Sequence, residues 1–153
     1  MAKKPIFIYL QLIGLLVLTG VFLAACNPQK GSQVLLKNSK GKSIKVSVEI
    51  ADTPESREKG LMYREEMPNN HGMLFLMPDE IIQTFWMKNT PLSLDIIFID
   101  RNWKIAGIIE DAVPYSTDHL SIEKPSLYVL EVNGGFCKKH EIKEGDWVEY
   151  IPQ

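Results

Sequence analysis

The chain has 153 residues, is 45% hydrophobic and 24% charged, and carries a formal net charge of −2, which suits one globular domain with a substantial core and excludes disordered and collagen-like classes. Loss of Lys3 and Lys4 with an N-terminal leader would change 17 basic against 19 acidic residues into 15 against 19, or −4. No run of Lys and Arg marks a nucleic-acid footprint, so no nucleic-acid partner is expected.

The first segment, "MAKKPIFIYLQLIGLLVLTGVFLAAC", has a positive start at Lys3 and Lys4 and a nearly unbroken apolar run from Ile6 to Leu23. It ends in Leu23-Ala24-Ala25-Cys26, which resembles the bacterial lipobox, in which small residues precede a cysteine that receives lipid. Residues 1–25 are therefore expected to be a lipoprotein signal peptide and Cys26 the lipid anchor. The competing reading is an uncleaved membrane anchor, since about 20 apolar residues span a bilayer. Both place the rest of the chain outside the cytoplasm, tethered to the cell membrane or the outer membrane. With Cys26 lipidated, Cys137 has no partner in the chain and no internal disulfide is expected.

Residues 26–41 read as the lipidated cysteine, a tether and the first strand of a hairpin, and residues 42–151 as a β domain. "NPQKGSQ" suits a short flexible tether. Val34–Leu36 and Ile44–Ile50 are strand-like and flank "KNSKGK", a hairpin loop; Ile44, Val46, Val48 and Ile50 alternate with polar neighbours, as in a strand with one wet face. Thr53 can cap a short helix that begins at Pro54, and Gly60 ends or loosens it. Gly72–Met77 reads as a buried strand, Pro78-Asp79 as a turn and Ile81–Lys88 as the next strand. Leu94–Ile99 is continuously apolar beyond Asp95 and is expected to be covered on both faces. "DRNW" makes a turn into a strand over Lys104–Ile109, a long polar loop follows, Leu127–Val132 is a strand, "GGFCKKHEI" holds a helical turn, and Trp147–Ile151 closes the domain. These elements predict a mostly β (α+β) fold: an antiparallel β sandwich or barrel of seven to eight short strands with two short helices.

The common phosphate-loop, serine-elbow, zinc and Cys-x-x-Cys signatures do not occur in the chain. His71, His119 and His140 are too scattered for a metal set, and neither metal nor cofactor is expected. Cys137 and His140 are one helical turn apart, but a single cysteine is more often a small buried hydrophobe than a nucleophile. The informative stretch is "TFWMKNTPLSLDIIFID". Read as a strand, it puts Trp86, Lys88 and Thr90 on one face. Were that face interior, Lys88 would need a carboxylate, with Asp95 and Glu131 as the options; otherwise Lys88 ends the strand in water, Asn89-Thr90-Pro91 is a plain turn and Asp95 caps local backbone N–H groups.

Three blocks, "EIADTPESREKGLMYREEMPNNHGMLFLM", "FWMKNTPLSLDIIFID" and "YVLEVNGGFCKKHEIKEGDWV", resemble those of the bacterial and archaeal domain of unknown function 192, over roughly residues 42–151. The resemblance implies a compact, predominantly β domain, often exported behind a signal or lipoprotein peptide, with no established reaction and no catalytic residues to carry over. Cys137 with His140, and Trp103 in its turn, depart from the expected pattern.

The expected function is a non-catalytic, membrane-anchored module that binds a small polar ligand or an envelope component through Trp86, Lys88, Asn89, Thr90, Asp95 and Glu131. A hydrolase or transferase acting on envelope material and a protein–protein assembly module are the alternatives.

Overall fold

The computed structural model describes residues 31–153; the expected signal peptide and Cys26 lie outside the described residues. β1 (Gln33–Lys37) and β2 (Ser43–Ala51) form the expected hairpin, in antiparallel register from Gln33–Ser47 to Lys37–Ser43. Its loop is closed by Asn38, whose side-chain oxygen accepts from the Lys40 and Lys42 N–H groups at 3.1 and 3.0 Å. Ile44, Val46 and Val48 are buried along β2 while Ser43, Lys45 and Glu49 are exposed, the anticipated period of two.

α1 (Pro54–Lys59) starts where Thr53 predicts. The Thr53 hydroxyl accepts from the Ser56 N–H and the Ser56 hydroxyl accepts from the Thr53 N–H, a reciprocal capping box. Gly60 ends the helix at φ 45°, a backbone that side chains rarely adopt.

β3 (His71–Ile82) differs from expectation, because it continues through Pro78-Asp79 instead of turning there. Its register against β6 (Pro125–Asn133) shifts between Leu76 and Ile81, so Pro78 lies in a bulge where no ladder N–H is required. The strand foreseen over Ile81–Lys88 ends at Ile82; beyond it only Phe85 makes a bridge, to Leu120. β4 (Leu94–Ile99) is buried at every residue, as its apolar run requires. β5 (Ile105–Ala112), α2 (Phe136–His140) and β7 (Trp147–Ile151) complete the chain.

The seven strands form one sheet in the order β5-β4-β6-β3-β2-β1-β7. Every neighbouring pair is antiparallel except β2–β3, which is parallel because α1 and the segment after it carry the chain across between them. The sheet curls into an open half-barrel. At one end its two edge strands meet: Lys104 bridges Trp147, Ile105 N–H donates to Asp146 and Val148 N–H to Trp103.

Each face of this sheet has its own core. Leu74, Leu130, Val132, Ile97 and Ile99 pack with β1, β2, β7 and α2 on one side. Met73, Phe75, Val129, Ile96 and Phe98 pack on the other beneath Leu61, Met67 and Met87. This second layer is laid down by α1, the turns after it and the Thr84–Thr90 segment, and it creates the cleft described next. No helix among the described residues is long and apolar enough to cross a membrane.

Candidate functional site

A cleft of about 310 Å³ opens between α1 with its following turn and the Thr84–Thr90 segment, within the size range of small-molecule sites. Arg57, Glu58 and Lys59 flank it from α1, Phe75 and Met77 from β3, Trp86, Lys88 and Thr90 from the opposite wall, and Glu131 from β6. Asn89 borders an adjoining hollow shared with Trp86 and Lys88.

Glu131 is the unusual member. It stands on β6 directly opposite Met73 of β3 and Ile96 of β4, and directly paired residues point to the same face. Its carboxyl therefore rises among Met73, Phe75, Ile96 and Phe98, on the apolar side that the cleft reaches. Glu131 is only 5% exposed. Its side chain has no hydrogen-bond or charge partner among the described residues, and burial alone raises its pKa from 4.5 to about 8. A carboxylic acid held neutral in apolar surroundings is a recurrent feature of binding and catalytic sites.

Lys88 is exposed and lies over the Trp86 ring, 5.0 Å from its centre. It makes no ion pair among the described residues. Asn89 adopts a left-handed backbone at φ 55° in the turn that follows. Its amide donates to the Tyr63 hydroxyl at 2.9 Å, while its carbonyl accepts from the Tyr63 N–H at 2.7 Å. Thr90 is buried and spends its hydroxyl locally, on the Lys88 carbonyl at 3.2 Å. Trp86 and Lys88 thus line the cleft from an irregular segment, not from the strand that alternation predicts, because the chain here lies over the sheet instead of joining it.

Asp95 is a correction to the expected group. On β4 it pairs with Val132 and alternates with Leu94 and Ile96, so it faces the opposite side of the sheet from Glu131 and cannot neutralise Lys88. Fully buried, it accepts from the backbone N–H groups of Asp111 at 2.9 Å, Gly135 at 3.1 Å and Cys137 at 2.7 Å. It ties the end of β5 to the start of α2. The sequence alternative, in which Asp95 caps local backbone N–H groups, has the role right and the range wrong, because the donors lie 16, 40 and 42 residues along the chain.

Cys137 is fully buried; burial first, and the Asp95 carboxylate second, push its thiol far above the ordinary range. His140 packs its ring on Phe136, 4.5 Å between centres, and burial lowers its pKa. Neither is set up as a nucleophile and base.

Sequence reasoning missed Arg57, Lys59, Phe75 and Tyr63 as neighbours of the cleft. Arg57 donates to the Asp52 and Leu76 carbonyls, locking α1 onto β3. Arg64 forms a two-point ion pair with Glu49, holding down the turn after α1. Gly60 was a usable signal: a Cβ there would sit 3.3 Å from the Phe75 ring in the cleft wall.

The sequence profile of DUF192, described as uncharacterized, matches residues 35–150. A UPF0127 protein of Thermococcus kodakarensis is 25% identical over 78% of this chain and 74% of its own. A UPF0127 protein of Pyrococcus furiosus is 24% identical over 76% of this chain and 97% of its own. Two crystal structures share the fold. A Sinorhizobium meliloti protein described as a proposed transcription regulator superposes with a TM-score of 0.76 at 40% identity, covering 78% of this chain and 92% of that one. A Novosphingobium aromaticivorans protein of unknown function superposes with a TM-score of 0.74 at 39% identity, covering 76% of this chain and 83% of that one.

Proposed function

From the premise that the chain belongs to the DUF192 family, whose description supplies no reaction, we propose a function from the cleft itself: a non-catalytic module that binds a small polar ligand between α1 and the Thr84–Thr90 segment. The observation that carries this reading is Glu131, a nearly buried carboxyl that borders the cleft with no partner among the described residues. Burying a polar group without a hydrogen bond costs on the order of 1–3 kcal/mol. A ligand donor placed against it would recover much of that. Trp86 and Lys88 at the mouth supply an aromatic surface and a charge for orientation.

The same proposal places the domain outside the cytoplasm, tethered through lipid on Cys26. Its support is the order of charge, apolar run and small residues before that cysteine. Metabolic labelling with radioactive palmitate tests it: Cys26→Ser should abolish both labelling and membrane retention, and undiminished labelling would refute it.

Transcription regulation, the description attached to the S. meliloti relative, fits this chain less well. The net charge is negative, and Lys37, Lys40, Arg64, Arg101 and Lys124 are each paired with a glutamate at scattered surface positions. That leaves little concentrated positive field for a nucleic-acid backbone.

Mass spectrometry of small molecules released by denaturing the full-length protein, purified from its own membranes, tests the binding reading. A compound retained by the parent protein and lost from both Trp86→Ala and Lys88→Ala is the expected result. Equal retention by both variants would overturn it.

A further inference from the structure

Resting on that reading, we infer that the cleft is built for a compact zwitterion, its cationic nitrogen seated on Glu131 at the apolar end and its anionic group met by Lys88 at the mouth. The two ends of the cleft differ in chemistry. Glu131, 5% exposed, shares the cleft lining with Phe75, Phe85, Leu61 and Met77, which leave its carboxyl little of the water a carboxylate needs. Phe75 and Phe85, in that same lining, meet edge to face with ring centres 5.2 Å apart. A protonated amine placed there supplies both the hydrogen bonds and the counter-charge that Glu131 lacks. At the mouth the balance reverses. Lys88 lies over the Trp86 ring, and Lys59, like Lys88 without an ion pair among the described residues, lines the cleft beside Arg57 and Glu58, a net positive set. A purely cationic ligand would be repelled by these groups, and a purely anionic one would leave Glu131 unmatched.

The other charged groups facing Glu131 across the cleft are Arg57, Glu58 and Lys59 of α1 and Lys88. β3 and β4 contribute only Met73 and Ile96 opposite it. Seating the amine therefore requires Glu131 to give up its proton to solvent. Binding should strengthen by roughly tenfold between pH 6.5 and pH 8, as the acid becomes easier to ionise.

Isothermal titration of the full-length chain in detergent tests this with ω-amino acids from glycine to 6-aminohexanoate as probes, and propylamine, propionate and glucose as single-feature controls. We expect one chain length to bind best and at least tenfold more tightly than propylamine or propionate, with proton release seen as an observed enthalpy that changes with the buffer's ionisation enthalpy. Glu131→Gln should remove the pH dependence and weaken binding at least tenfold; Lys88→Ala should bring the amino acid down to the level of propylamine. Glucose bound more tightly than any amino acid and lost from Trp86→Ala would overturn the zwitterion while leaving the cleft as a binding site. Unchanged amino-acid affinity in Glu131→Gln would overturn the assignment of the amine to Glu131. No measurable binding of any amino acid would overturn the inference outright, and retention of a native compound then decides separately whether the cleft binds ligands.

Discussion

Glu131→Gln should stabilise the protein at neutral pH and remove most of a pH dependence. Glu131 has its pKa raised from 4.5 to about 8 by burial, so between those values the folded state holds a proton that the unfolded state has released. Stability then falls as pH rises through this interval, is full below about 4.5, and is lost once pH exceeds about 8. Each pH unit is worth about 1.4 kcal/mol, which makes the total decline about 5 kcal/mol and the share already lost at pH 7 about 3 kcal/mol. Glutamine keeps the shape and has no charge to desolvate, so the variant should exceed the parent by a few kcal/mol at pH 7 and match it near pH 4. Water entering the ionised site through the cleft would lower these figures. Urea denaturation of both proteins at intervals from pH 4 to 9 measures the difference directly. Parallel curves, or a parent that gains stability relative to the variant as pH rises, would refute the account of Glu131 as an unpartnered buried acid.

Replacing Asp95 by Asn should cost about 2–4 kcal/mol, because three backbone N–H groups lose a charged acceptor and one meets an amide N–H instead; chemical denaturation reads this, and a loss below 1 kcal/mol would show that the anchor is dispensable. Gly72→Ala would set a Cβ 2.4 Å from the Glu131 carbonyl oxygen, so the β3–β6 pairing must shift; a loss of about 3 kcal/mol or more is expected, and a wild-type melting curve would contradict it. Thr53→Ala removes one arm of the capping box and should lower stability by about 1 kcal/mol, visible as an earlier urea midpoint. Cys137 should resist alkylation at pH 8 until the domain unfolds, since its thiol is buried and its ionisation opposed; peptide mapping after timed iodoacetamide exposure reports this, and rapid labelling of the folded protein would disprove it.

Local chemistry made much of the fold legible. The strict alternation of Ile44, Val46 and Val48, the apolar run of β4 and the Thr53-Pro54 start of α1 each announce an element whose physics is contained within a few residues. Pro78 misled because a proline is compatible with a strand at a bulge, and that bulge is a property of the β3–β6 register. The Thr84–Thr90 segment misled for a related reason. Its alternation is genuine, but alternation does not say whether a chain joins a sheet or lies over one.

Taken alone, the sequence determined the domain's predominantly β character and most of its strands, β1, β2, β4, β6 and β7 among them, because residue type, spacing and resemblance carry that information. Only the tertiary structure separated Asp95 from Glu131. Both are single acids in apolar strands, indistinguishable by burial or period. Asp95 meets three backbone donors because α2 and the end of β5 fold onto its side of the sheet. Glu131 meets none among the described residues, because the cover on its side, α1 with the turns after it and the Thr84–Thr90 segment, leaves a cleft. Which face receives which cover depends on pairings between residues far apart in the chain, and no local pattern encodes them.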